Sequence, residues 1–169
     1  IGAFQYLADD GQLRSMVFWM MGSLGRATWI TLLPAIVIMS ICMVILIRYS
    51  RTLDLMQLGE HEAEFLGVDV TRVKRGVILA SAAGVGAGVS ICGIIGFIGL
   101  VVPHLVRLSL GPSHSTLIPG AALLGAALMI LADLVARIMI TPAEIPVSLV
   151  TSALGAPFFL WLIARSRPV

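Results

Sequence analysis

Glu60, His61, Glu62 and Glu64 crowd metal-capable side chains into the stretch Leu58-Gly-Glu-His-Glu-Ala-Glu-Phe-Leu-Gly67. A helical zinc hydrolase site needs two histidines four residues apart with a glutamate beside the first. Glu62 does follow His61, but position 65 is Phe, so the second ligand is missing and no metal site is expected. The segment reads instead as a short acidic helix, with Ala63 and Leu66 on one face and Gly67 ending it. Such a surface helix, flanked by arginines, suits docking into a partner's groove.

Other ionisable residues are spread thinly. Asp133 and Arg137 stand at i and i+4, a spacing at which a helix lets opposite charges neutralise each other. Asp133 is expected to face a helix bundle and Arg137 to reach outward. His104 and Arg107 follow Pro103, and His114 lies beyond them. A lone histidine in a helix can ligate haem iron, but no second axial ligand stands at a defined spacing, so a packing or interface role is expected. No nucleophile with its base, no water-facing carboxylate pair and no Gly-x-x-x-x-Gly-Lys loop is present. The chain is therefore expected to catalyse nothing and to bind no cofactor. Any ATP and Mg²⁺ would belong to a partner subunit.

The elements that position these residues are apolar helices. Mean hydropathy is +1.03; 59% of residues are hydrophobic and 12% charged, against roughly 25% charged in soluble domains. A net charge of +2 gives a nucleic-acid partner no support. Cys42 and Cys92 both lie in apolar runs, as small hydrophobes do. The fold class is all-α, a polytopic transmembrane bundle. Crossings are expected over residues 30–47, 77–95, 97–110, 117–137 and 147–164, because about 20 apolar residues cross a bilayer. Gly93, Gly96, Gly99 and Pro103 mark the break that separates the second and third crossings. A polar insert over residues 48–76 joins the first crossing to the second.

Charge placement orients the bundle. With the insert in the cytoplasm, Arg48, Arg51, Arg72, Lys74, Arg75, Arg107, Arg165 and Arg167 fall inside, and Arg14, Arg26 and Arg137 outside. That bias obeys the positive-inside rule and puts the C-terminus in the cytoplasm. Trp19 and Trp29 bracket the outer end of the first crossing. An odd number of crossings starting outside leads to the expectation that more helices precede Ile1, so that residues 1–169 are a fragment of one membrane domain.

Gly84 and Gly88, four apart, and the runs Gly120-Ala-Ala and Gly125-Ala-Ala are suited to close helix packing in lipid. Glu144-Ile-Pro146 opens the last crossing and Gly155-Ala-Pro157-Phe-Phe159 interrupts its middle. Proline inside a span bends it and frees a carbonyl, which suits a helix lining a path.

Several ordered motifs resemble the FecCD family, permease subunits of ABC importers for ferric siderophores, haem and cobalamin. They are Phe18-Trp-Met-Met-Gly-Ser-Leu-Gly25, Leu58-Gly-Glu…Ala63…Leu66-Gly67, Gly96-Phe-Ile-Gly-Leu-Val-Val-Pro-His-Leu-Val-Arg107, Leu131-Ala-Asp-Leu-Val-Ala-Arg137, Glu144-Ile-Pro-Val and Gly155-Ala-Pro-Phe-Phe159. Family members carry about ten spans of bilayer-crossing length in roughly twice this length, so the resemblance implies a C-terminal half, spans six to ten.

It further implies that Leu58, Gly59, Glu60, Ala63, Leu66 and Gly67 form the segment that couples to a cytoplasmic ATPase dimer. Arg137 would dock a periplasmic binding protein. Glu144, Pro146, Gly155 and Pro157 would belong to a pathway helix, and Gly96, Gly99, Pro103, His104, Arg107 and Asp133 to the structural motifs. A second permease copy, the bacterial inner membrane and alternating access driven by ATP complete the implied picture. Ser148 and Ile145 stand where glycine and leucine are common. The segment Tyr6-Leu-Ala-Asp-Asp-Gly-Gln-Leu-Arg14, with Trp19 and Gly22-Ser-Leu-Gly25, looks closer to the iron and haem branches, so the expected cargo is an iron compound.

Two other classes fit these residues less well. An ion-coupled secondary transporter would want a midplane carboxylate and internal repeats, whereas Asp133 lies near a helix end beside its own arginine. An intramembrane enzyme would need His104, Asp133 or Glu144 to converge at one depth, and the expected topology separates them.

Overall fold

A computed structural model describes residues 9, 11, 20–25, 27–139 and 146–165. The expectations for Tyr6 to Arg14 other than Asp9 and Gly11, and for Phe18, Trp19, Arg26, Glu144, Ile145 and Arg167, fall outside these described residues. Six helices account for most of the rest: α1 (Trp29–Met56), α2 (Glu60–Phe65), α3 (Val70–Cys92), α4 (Ile98–Leu110), α5 (His114–Met139) and α6 (Val147–Arg165). There is no strand among the described residues.

The long helices run alternately up and down, and their ends are fixed by caps rather than by where charge begins. Thr28 opens α1 from an extended conformation, its N–H donating to Thr31 Oγ1 at 3.3 Å. At 28 residues, α1 is about 42 Å long, well beyond a hydrocarbon core of about 30 Å. The expected end at residue 47 is therefore a boundary of the apolar run, not of the helix. Arg48 and Arg51 lie on a helical overhang, so helix continues into the expected insert 48–76 from both sides and only residues 57–69, with α2, lie between the two long helices.

The same distinction holds at α3. Asp69 accepts the Arg72 N–H at 2.9 Å and caps the helix at Val70, so Arg72, Lys74 and Arg75 ride on its first turns. The expected start at residue 77 falls two turns late. Ser113 likewise precedes α5, which begins at His114 rather than at residue 117.

The break between the second and third crossings is confined to residues 93–97. Gly93 and Phe97 both take positive φ, +71° and +66°. Gly99 and Pro103 do not interrupt the chain; they lie inside α4, where Pro103 removes only one helical hydrogen bond near the helix start. α4 is 13 residues, about 20 Å, and covers only part of the bundle's depth. Val102 and Val106 of α4 pack with Leu117 of α5 in one buried cluster, while Ala132 and Ala136 of α5 pack with Val147 of α6 in another.

Close approach of α1 and α3 is set by a small-residue stripe. A Cβ at Gly76 would lie 2.9 Å from Tyr49 Cε2, and one at Gly84 would touch Cys42 Cβ at 3.5 Å. Ala80, between them, is buried. The working spacing is thus 76, 80 and 84; the expected partner of Gly84, Gly88, has nothing within 4 Å of its would-be Cβ. Outward faces remain apolar, with Ile30, Leu79, Leu123 and Ile130 all exposed. Three helices, α1, α3 and α5, are long and apolar enough to cross a membrane.

Candidate functional site

At the end of the bundle where α1 stops, a tight turn leads into α2. Gln57, Leu58 and Gly59 each donate their N–H three residues back, to Asp54, Leu55 and Met56, which satisfies the last α1 carbonyls. Gly59 adopts φ +132° and ψ 151°, a region essentially reserved for glycine.

The far end of α2 closes with a Schellman motif. Val68 N–H reaches Ala63 O at 3.0 Å, Gly67 N–H reaches Glu64 O at 2.9 Å, and Gly67 has φ +85°. Gly67 therefore ends the helix as its position in the sequence predicts. Ala63 is fully buried. Leu66 is not on that buried face: it is the cap residue, where the chain leaves the helix, and is 62% exposed. With Leu58 at 69% and Phe65 at 92%, it forms an outward apolar rim.

Side chains tie this unit down. Lys74 of α3 pairs with Glu60, and His61 comes within 3.9 Å of Glu64 on the exposed side. A half-buried polar knot lies beside the turn. Asp54 Oδ1 accepts the His114 backbone N–H at 2.7 Å, and Oδ2 accepts the Ser113 hydroxyl at 2.7 Å. The His114 ring Nδ1 stands 2.8 Å from Oδ1. Gln57 adds its amide nitrogen, 3.0 Å from His114 Nδ1, 3.2 Å from Asp54 Oδ1 and 3.4 Å from Pro112 O. Nothing in the sequence reading linked Asp54 with His114. The available signal was Gly111-Pro-Ser-His, a helix-start pattern lying level with the overhang of α1.

The opposite end gathers the remaining motifs. Arg137 Nε donates to Asp133 Oδ2 at 2.8 Å, with Asp133 the less exposed partner, as the i, i+4 spacing predicts. Pro146 directly precedes α6, whose first N–H, on Val147, donates to Gly22 O at 3.3 Å. Ser23 N–H donates to Cys92 O at 2.9 Å. Gly22, at φ +71°, would bring a Cβ to 3.0 Å from Ile94 O, so this clasp needs a glycine.

α6 continues as helix through Gly155 and Pro157. Gly155 is buried against Phe97, at the head of α4. Gly96 and Gly99 face open space, and Arg107 is exposed on the last turn of α4. His104 stands edge-on to Phe158, ring centroids 6.2 Å apart. Its Nε2 is buried without a hydrogen-bond partner among the described residues, so at that atom it does not satisfy a backbone carbonyl. His104 meets Phe158 and Asp133 meets Arg137.

Two polar ends thus emerge, α2 with its basic surroundings at one and Asp133–Arg137 at the other, connected by α5. Arg48, Arg51, Arg72, Lys74, Arg75 and Arg107 all belong to the α2 end. The chain is 52% identical over 168 residues to the hemin transport system permease protein HmuU of Yersinia pestis, covering 99% of this chain and 50% of that one. It is 44% identical over 162 residues to the vitamin B12 import system permease protein BtuC of Vibrio cholerae, covering 96% and 49%. A solved structure of a metal-chelate type ABC transporter in an inward-facing conformation superposes with a TM-score of 0.91 at 41% identity, over 97% of this chain and 53% of that one. The chain spans about half the length of the curated relatives it matches. Residues 1–165 match the model of the FecCD transport family, and the chain belongs to that family.

Proposed function

We propose that this chain forms membrane-spanning permease structure of an ABC importer, passing an iron compound, haem or a ferric siderophore, from a periplasmic binding protein to the cytoplasm. The observation that carries the reading is α2: a six-residue helix at the basic end of the bundle, held by one buried alanine and presenting Leu58, Phe65 and Leu66 outward. An apolar rim on a short, firmly capped helix suits insertion into a cleft of a partner. The partner is a cytoplasmic ATPase dimer, which supplies ATP hydrolysis on Mg²⁺, while Leu58 to Gly67 receive its motion. Two permease copies enclose the path in the inner membrane.

The concentration of cations at the α2 end supports a cytoplasmic position for it and for the C-terminus. Arg137, at the other end, meets the binding protein. Glu144, Pro146, Gly155 and Pro157 are assigned to the pathway segment, and His104 to the structural motif of α4. Haem is favoured by the 52% identity to a hemin permease. Cobalamin is the second reading, because relatives at 44% and 39% identity are vitamin B12 permeases.

The test is co-purification of the assembled complex in detergent with residues 58–67 native or scrambled. Loss of the ATPase subunit and of stimulated hydrolysis on scrambling, with the membrane part intact, is the expected result. Retained ATPase binding would move the coupling surface elsewhere.

A further inference from the structure

Asp54 performs a task that is unusual for a residue at the end of its own helix. It caps a different one, α5, sixty residues along the chain. Its carboxylate takes hydrogens from the Ser113 hydroxyl and the His114 backbone, so an acceptor from α1 does what an N-cap side chain of α5 would ordinarily do. The His114 and Asp54 side chains are only 18% and 30% exposed, so water screens the pair less than it screens the exposed Lys74–Glu60 pair, at 45% and 59%. The Gln57 amide nitrogen stands 3.2 Å from Asp54 Oδ1, 3.4 Å from Pro112 O and 3.0 Å from His114 Nδ1, so Asp54, Gln57 and His114 form one cluster around the charged carboxylate. Gln57 is the first residue of the turn into α2. The knot therefore locks the base of α2 to the head of α5.

We infer that Asp54 is a positioning residue for transport, a rigid joint through which displacement of α2 is carried into α5 instead of being absorbed by the turn at residues 57–59. The inference rests on the reading of residues 58–67 as the ATPase-coupling segment. α5 is 26 residues, about 39 Å, and its far turns hold Asp133 and Arg137. One stiff element thus connects the joint to the end assigned to the binding protein. Asp54 touches neither cargo nor ATP and acts through α2 and α5.

The test uses the assembled complex in lipid, with ATPase and binding protein present. Co-purification, basal hydrolysis, hydrolysis stimulated by loaded binding protein, and transport are measured side by side. Asp54→Ala is expected to keep the ATPase subunit and basal hydrolysis but to lose stimulation and transport about tenfold, the scale of a lost hydrogen bond to a charged group. Asp54→Glu should recover part of both. Adding His114→Ala to Asp54→Ala should cost little more, since both act in one network. Full stimulation and transport by Asp54→Ala would overturn the inference.

Should Asp54→Ala fail to assemble, Ser113→Ala and His114→Gln each remove less of the knot. Partial loss of stimulation in both would support the joint, and unchanged stimulation would overturn it. Gly59→Trp and Glu60→Lys run in parallel separate the two readings. If they leave stimulation intact, the coupling assignment itself fails and the joint falls with it. If they abolish stimulation and Asp54→Ala does not, the coupling assignment stands and only the joint is lost.

Discussion

Gly155 lies so close to Phe97 that a Cβ on the glycine would stand 2.6 Å from Phe97 Cγ. Phe97 is also the one described non-glycine residue with positive φ, +66°. The chain accepts an unfavourable backbone at the head of α4, and the ring is accommodated because α6 presents no side chain there.

Opposite signs are forecast for Gly155→Ala by propensity and by packing. Exchange in a free helix interior would stabilise by up to about 1 kcal/mol, whereas forcing extra volume into a packed contact costs about 1–3 kcal/mol. The close contact makes packing dominant, so Gly155→Ala should lower the melting temperature in detergent. Phe97→Gly should render Gly155→Ala harmless. A rise in melting temperature for Gly155→Ala alone would show that the α4–α6 contact is looser than described.

The α1–α3 seam offers a second packing test. Gly76→Val drives methyl groups into Tyr49, 2.9 Å from even a bare Cβ, and is expected to cost about 1–3 kcal/mol. Tyr49→Leu in the same chain should recover much of that loss, because the two sites are in contact and their effects do not add. Additive effects on thermal stability would mean that the ring is not what Gly76 makes room for.

Gly67 in α2 tests how the short helix is held. Its φ of +85° costs a residue with a Cβ roughly 1–2 kcal/mol. Gly67→Ala should therefore raise amide exchange at residues 62–68 by about tenfold without altering exchange in α5. Unchanged protection would show that the Schellman bonds do not set the stability of α2.

Arg137→Glu places a second carboxylate one turn from Asp133 and reverses the charge offered at that end of the bundle. Affinity for the binding protein should fall about tenfold or more, with a weaker dependence on salt, while the membrane complex still assembles. Asp133→Asn, which keeps the positive charge, should have a smaller effect. Wild-type affinity for Arg137→Glu, measured with immobilised complex, would remove Arg137 from the docking surface.

The sequence reports long-range organisation well, because bilayer crossing imposes a long apolar run that any reading of hydropathy detects. α4 and α6 begin within a residue of their expected starts, where the glycine break after Cys92 and Pro146 mark the boundaries. Helix ends were less legible: Arg48 ends the apolar run but Met56 ends the helix, and α3 and α5 start, at Val70 and His114, before their apolar runs begin. The capped helix at residues 60–65 could be read from Gly59 and Gly67, since positive φ selects glycine. The Asp54–His114 contact could not. It depends on the rotation of two long helices about their axes, which fixes whether residues sixty apart meet, and no local pattern encodes that angle. Gly76 was overlooked for a related reason: in a glycine-rich helix, only the partner's Tyr49 shows which small residues form the seam.

The most direct test of ATP-driven import is uptake by sealed proteoliposomes holding the assembled permease and its ATPase, with loaded binding protein added on the side of Arg137. Haem and cobalamin would be offered separately, with ATP supplied on the α2 side or omitted, and with ionophores present or absent. Uptake of haem that requires ATP and survives collapse of all ion gradients is the expected result. Uptake that proceeds without ATP and disappears with the ionophores would contradict it and make this an ion-coupled transporter.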